Sequence, residues 1–81
     1  MKKLQMLIVE DGKSQREMLR DFLIKEGHAV AEAENGERAL EKVRAGHFDL
    51  LLLDYKMPGM DGMTVLKEVK RINPEIDVVI I

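Results

Sequence analysis

The sequence predicts an α/β fold with a parallel sheet, and two observations carry that prediction. Short apolar runs rich in Val, Ile and Leu alternate with longer amphipathic stretches, which is typical of repeated βα units. One of these runs, the four leucines at 50–53, has no polar alternation, as expected of a strand buried on both faces. A chain of 81 residues supports one small domain, and we assign residues 1–81 to a single domain.

The alternation predicts four strands and three helices. Strands are expected at Leu4–Val9, at about Ala29–Ala33, from Leu50 to the residue before Asp54, and at Val78–Ile81. The first helix should begin with Ser14 as its N-cap and Glu17 completing a capping box, and it should end near Gly27. The second helix is expected at about Glu37–Ala45, and the third between the turn at 58–59 and the break at 73–74.

Each predicted helix has an apolar face with helical spacing. The residues on these faces are Met18, Leu19, Phe22 and Leu23 in the first helix, Leu40 and Val43 in the second, and Val65, Val69 and Ile72 in the third. The fourth strand ends the chain, although a strand of a parallel sheet needs a helix to cover it. We therefore expect this chain to be a piece of a longer fold.

Carboxylates follow two of the predicted strands. Asp54 stops the run of leucines, and Glu10 and Asp11 close the first strand. Because the carboxyl ends of neighbouring parallel strands meet at one edge, the three carboxylates would converge if these strands are adjacent. Like charges held close together repel strongly unless a cation lies among them. The oxygen-only ligand set favours Mg²⁺ before Mn²⁺ or Ca²⁺.

Composition narrows the possible partners. The 13 basic and 15 acidic residues give a net charge of −2, and no basic block could follow a phosphate backbone, so direct nucleic-acid binding by this segment is not expected. No segment approaches the ~18 apolar residues of a membrane span. Cysteine is absent, which excludes thiolate chemistry and suits a reducing cytosol, so we expect a cytoplasmic protein.

Together, the acidic pair after the first strand, Asp54 after the third, and the loop MPGMDG at 57–62 resemble the receiver domain of two-component response regulators. The resemblance covers all 81 residues, and its most specific part is the block at 50–62. It implies a flavodoxin-like, doubly wound parallel sheet, of which this chain would hold four strands in the order 2-1-3-4 and three helices. That order places the first and third strands side by side.

The resemblance also implies roles. Asp54 would accept a phosphoryl group from a sensor histidine kinase or phosphotransfer protein, so the chain would be a phosphoacceptor module of a phosphorelay rather than a conventional enzyme. Asp11 would bind Mg²⁺ directly, Glu10 would act through a water, and the backbone carbonyl of Lys56 would add another ligand. The turn at 58–59 and Gly62 would shape the loop beside the acceptor.

Receivers also carry a hydroxyl residue at the end of strand four and a lysine at the end of strand five, and this chain ends at Ile81 without either. We therefore expect slow phosphorylation that is poorly coupled to conformational change. The competing interpretation is a truncated receiver-derived scaffold that folds and self-associates without signalling. Under either one, the exposed edge of the fourth strand predicts a homodimer or higher oligomer.

Three other function classes fit the sequence less well. Residues 12–14 (GKS) resemble the end of a P-loop, but Leu7 stands where that motif needs glycine. An aspartyl-phosphate phosphatase would need a second carboxylate two residues after Asp54, and Lys56 occupies that position. A flavodoxin that binds flavin would need a phosphate loop after the first strand, where Glu10 and Asp11 would repel the phosphate.

Overall fold

The computed structural model describes residues 2–57 and 59–81 of the chain. Strands and helices alternate in this part of the chain, with the bounds β1 (Gln5–Val9), α1 (Lys13–Lys25), β2 (Ala29–Ala33), α2 (Gly36–Ala45), β3 (Leu50–Leu53), α3 (Gly62–Ile72) and β4 (Asp77–Ile80). The strands form one parallel sheet in the order β2-β1-β3-β4. The predicted flavodoxin-like arrangement, with four strands in the order 2-1-3-4 and three helices among the described residues, is therefore confirmed.

The main core lies between the sheet and the helices α2 and α3. Alternate residues of β1 and β3 point into it and are fully buried, as expected of strands whose side chains point to opposite faces in turn. Most of the buried residues of this core come from these two strands and from the predicted helix faces, and they are Leu7, Val9, Leu51, Leu53, Leu40, Val43, Val65 and Val69. The interposed β1 residues Met6 and Ile8 are also buried, on the face against which α1 packs.

Helix α1 buries less of its apolar face than the other two helices do. Leu19 and Leu23 are half-buried, whereas Met18 is 70% exposed and Phe22 is 59% exposed. Helix α1 contacts β2 and β1, at one side of the sheet. In the described part of the chain, nothing covers the outer half of the predicted α1 face.

The start of α1 differs from the prediction. The N-cap is Gly12, without a side-chain cap, and Ser14 lies inside the first turn, so the capping box with Glu17 is wrong. The reason is that the carboxylate of Glu10 accepts a hydrogen bond from the Gly12 N–H at 2.9 Å, which satisfies a donor at the helix start from outside the helix. The predicted end is right, because Gly27 follows the helix with a left-handed φ of 98°.

Helices α2 and α3 each begin at a residue capped by a side chain. Asn35 accepts a hydrogen bond from the Arg38 N–H at 2.8 Å, so α2 begins at Gly36, one residue before the prediction. Asp61 accepts from the Thr64 N–H at 2.9 Å and caps α3 in the same way. None of the helices in the described ranges is long and apolar enough to cross a membrane.

The sheet edge formed by β4 is apolar and exposed. Val79 is 44% exposed, Ile80 42% and the following Ile81 51%. Strand β4 pairs only with β3 in this sheet, so its outer hydrogen-bonding groups face away from the other strands. This geometry agrees with the edge that the sequence predicts for the fourth strand.

Candidate functional site

The register of β1 and β3 places the predicted acidic residues at one edge of the sheet. Val9 and Leu53 are partners across the two strands, so Glu10 and Asp54 leave the sheet side by side. The Asp54 N–H donates to the Val9 carbonyl at 2.9 Å, and the Glu10 N–H donates to the Ala33 carbonyl at 3.1 Å. Both carboxylates therefore project from main chain that is held by a neighbouring strand.

The structure brings three of the predicted residues together. Glu10, Asp11 and Asp54 each offer a carboxylate oxygen, and these oxygens all lie within 4.8 Å of one another. Glu10 and Asp54 are half-buried and Asp11 is exposed. Among the described residues this is the only group of three or more acidic, His or Cys side chains with such spacing.

Electrostatics at this cluster favour a cation. Burial raises the pKa of Glu10, and hydrogen bonding to Asp11 and Asp54 and the charge of Asp54 raise it further, against a lowering by the Gly12 N–H. Burial is the largest cause of this rise, and the contributions of Asp11 and Asp54 show that negative charge from neighbouring carboxylates adds to it. A hard divalent cation relieves that crowding, and three carboxylate oxygens without nitrogen or sulfur fit Mg²⁺ well.

The start of the loop after Asp54 is held by the Asp54 side chain. Asp54 Oδ1 accepts from the Lys56 N–H at 3.1 Å, which places Lys56 beside the cluster and leaves its side chain exposed. The metal-ligand role of the Lys56 carbonyl stays a prediction. Tyr55, which the sequence leaves open between packing and solvent, is half exposed.

Gly62, the first residue of α3, allows the start of this loop to approach the helix closely. A Cβ at this position would lie 2.9 Å from the Cα of Tyr55 and 3.1 Å from its carbonyl oxygen, so main chain fills the space a side chain would need. Gly59 has a φ of 84°, which agrees with the predicted turn, and Pro58 lies outside the described residues. The predicted role of Gly62 in shaping the acceptor loop agrees with this geometry.

Sequence reasoning misses Arg16 on α1. Its side chain is only 15% exposed, and its guanidinium bonds the main-chain carbonyl of Glu10 and the carboxylate of Glu32 on β2. Arg20, one turn later, bonds the other oxygen of Glu32. A pair of arginines four residues apart on α1 is the only sequence signal of this arrangement.

Comparisons with known proteins agree with this geometry. The chain is 45% identical over 76 residues to the chemotaxis protein CheY of Bacillus subtilis, covering 93% of this chain and 63% of that protein. It is 43% identical over 76 residues to sporulation initiation phosphotransferase F of the same organism, covering 94% of this chain and 61% of that protein. The chain thus spans less than two thirds of the length of these relatives.

A solved structure shares the fold. The response regulator TrrA of Thermotoga maritima, solved in complex with Mg(2+)-BeF, superposes with a TM-score of 0.91 at 37% identity, over 98% of this chain and 68% of that one. The family model described as the response regulator receiver domain matches residues 6–81, which include the three clustered carboxylates. This chain belongs to the receiver domain family of response regulators.

Proposed function

We propose that Asp54 accepts a phosphoryl group in a Mg²⁺-dependent reaction, with a phosphohistidine of a sensor histidine kinase or phosphotransfer protein as the donor. The observation that carries the proposal is the convergence of Glu10, Asp11 and Asp54 within 4.8 Å at the carboxyl edge of a receiver-family sheet. The chain acts as a phosphoacceptor module that assists its own modification. Since the kinase makes its phosphohistidine from ATP, we infer a cytoplasmic location.

The chemistry assigns a carboxylate nucleophile to Asp54. One of its oxygens attacks the phosphorus atom, the N–P bond of the phosphohistidine breaks, and the electron pair returns to the imidazole nitrogen, which then takes a proton. Because Oδ1 accepts the Lys56 N–H, we assign the attack to Oδ2. Glu10 and Asp11 would hold Mg²⁺, together with Asp54 and the Lys56 carbonyl. When bound, that ion neutralises charge on the acceptor and the phosphoryl group.

Intact mass spectrometry tests the proposal. After incubation with Mg²⁺ and acetyl phosphate, the wild-type chain should gain one phosphoryl group, and EDTA should prevent the gain. Asp54→Asn, which keeps the shape and the acceptor for the Lys56 N–H but lacks the nucleophile, should gain nothing. A folded wild-type chain that gains no phosphoryl group, or an equal gain by Asp54→Asn, would contradict the assignment.

One observation favours a second candidate, a receiver-derived scaffold that self-associates without signalling. The apolar edge formed by Val79, Ile80 and Ile81 is exposed and suits pairing with a second copy of the chain. Two edges related by a two-fold axis would pair antiparallel and join two four-stranded sheets. Light scattering at micromolar concentration should then show a dimer that Ile80→Lys weakens, and a monomeric wild type would exclude this candidate.

A further inference from the structure

A guanidinium lies behind the acidic cluster. Arg16 Nη1 donates to the main-chain carbonyl of Glu10 at 2.9 Å, and Arg16 Nε donates to Glu32 Oε1 at 3.2 Å. Its own N–H donates to the Gly12 carbonyl at 2.9 Å, so the side chain reaches back from the first turn of α1 toward the loop that carries the cluster. Arg16 thus ties the β1–α1 loop to strand β2.

The bond to the Glu10 carbonyl fixes the orientation of two carboxylate-bearing residues. Because a peptide unit is planar, holding the carbonyl of Glu10 also sets the direction of the Asp11 N–H and Cα. The Glu10 N–H is already held by β2 and its carboxylate by the Gly12 N–H. Among the hydrogen bonds of the described residues, only the one from Arg16 holds the peptide unit between Glu10 and Asp11.

We propose that Arg16 is a positioning residue for the cation site: it aligns Glu10 and Asp11 for the metal without contacting the metal itself. The inference rests on the proposed function, since it concerns the same site. Its support is geometric, because the donors of a metal site bind well only when other groups hold them in place. Glu32 in turn holds the guanidinium in the orientation that reaches Glu10.

Charge alone predicts the opposite effect. Arg16 is a cation near a cation site, so its removal would tighten Mg²⁺ binding if only Coulomb repulsion acted. Positioning predicts that the same removal weakens binding. The sign of the change therefore separates the two explanations, and a merely structural role would leave the affinity of the folded protein unchanged.

Arg20 provides a matched control. It lies one helical turn from Arg16 and bonds the same carboxylate, with Arg20 Nη1 3.1 Å from Glu32 Oε2, and its other described bond is to Asp21. Neither of these bonds involves Glu10. Arg16→Met and Arg20→Met each remove one charge and one bond to Glu32, and only the first removes the bond to the Glu10 carbonyl.

The test is a MgCl₂ titration of the 81-residue chain at constant ionic strength, followed by amide chemical shifts, with urea unfolding to verify folding. Arg16→Met should weaken Mg²⁺ affinity about tenfold, and Arg20→Met should change it by less than about twofold. Arg16→Lys keeps the positive charge and a hydrogen-bond donor but lacks the planar guanidinium, so it should recover only part of the lost affinity. If Arg16→Met does not fold, Glu32→Gln replaces it and should weaken binding in the same direction.

Equal or tighter binding by the folded Arg16→Met, or by Glu32→Gln if that variant is used, would overturn this inference while leaving the proposed function intact. An equal loss in Arg20→Met would overturn it too, because the effect would then belong to Glu32 or to net charge. A wild-type chain that binds no Mg²⁺ would overturn the proposed function and this inference with it.

Discussion

Replacing Asp54 by Asn should stabilise the protein in the absence of divalent cations. Asp54→Asn removes one of three clustered charges and keeps the oxygen that accepts the Lys56 N–H. At 4.8 Å, the upper limit of the separations between these carboxylate oxygens, two unit charges repel by about 3 kcal/mol at an effective dielectric constant of 20 and by about 1 kcal/mol in bulk water. Because Asp11 is exposed and the other two carboxylates are half-buried, we expect the lower figure.

A gain of about 1 kcal/mol corresponds to an increase in Tm of about 4–8 °C for a domain of this size. Mg²⁺ should stabilise the wild type and not the Asp54→Asn variant. At ten times its Kd, an ion that binds only the native state stabilises the wild type by about 1.4 kcal/mol, and this stabilisation should be lost in Asp54→Asn. The two proteins should therefore have similar Tm values at that Mg²⁺ concentration and different ones in EDTA.

The assay is thermal unfolding followed by circular dichroism, in EDTA and in MgCl₂, with NaCl added to match ionic strength. Glu75→Gln is the control, because it makes the same change in net charge at an exposed residue outside the cluster. It should leave both the Tm in EDTA and the Mg²⁺ response nearly unchanged. A lower Tm for Asp54→Asn in EDTA, or a full Mg²⁺ response in that variant, would refute the repulsion argument.

Three further changes test other parts of the structure. Gly62→Ala should destabilise the fold by about 1–3 kcal/mol in urea unfolding and weaken Mg²⁺ binding in a MgCl₂ titration, because the added Cβ meets main chain of the acceptor loop at 2.9 Å. Gly46→Ala is the control and should have a smaller effect in both measurements, because its nearest main-chain contact would lie at 3.7 Å. Asn35→Ala should lower the free energy of unfolding in urea by about 1 kcal/mol, because it removes the N-cap of α2. An unchanged unfolding midpoint would show that the cap is dispensable. Asp49 accepts a hydrogen bond from the Gln5 N–H, the largest cause of its lowered pKa, and a weaker contribution comes from a hydrogen bond to His47. Because the pKa of Asp49 falls below its ordinary value of 3.8, the ionised side chain stabilises the fold above that pH, and this stabilisation is lost as pH falls through the folded-state pKa. Comparing acid unfolding of wild type with Asp49→Asn checks this, since the variant should lose less stability over that acidic range.

Much of the fold follows from local patterns in the sequence. The run of leucines at 50–53 predicts β3, but its burial alternates: Leu51 and Leu53 are buried, whereas Leu50 and Leu52 are half-buried. The predicted bounds of β2 are those observed, Ala29–Ala33. Convergence of the carboxylates required one more step, the adjacency of β1 and β3, which came from the family resemblance and which the register confirms.

The features that the sequence did not predict depend on contacts between distant parts of the chain. Ser14 has the right chemistry for an N-cap, but the Glu10 carboxylate bonds the Gly12 N–H and the helix begins earlier. Helical periodicity gives α1 an apolar face, yet periodicity does not specify which element covers it, and Phe22 is mostly exposed. Arg16 looks like an ordinary surface arginine until β2 brings Glu32 to it.

The central position of β1 has a consequence for folding kinetics. Strand β1 pairs with β2, which follows it after a single helix, and with β3, which arrives only after a further helix and strand. Closing the shorter loop costs less chain entropy, so we expect the β1–α1–β2 unit to form first and β3 to dock later. Asp54 should then join the other carboxylates in a late step, which their repulsion opposes. Contacts made after the rate-limiting step affect the unfolding rate, so a bound cation should slow unfolding and leave the refolding rate almost unchanged.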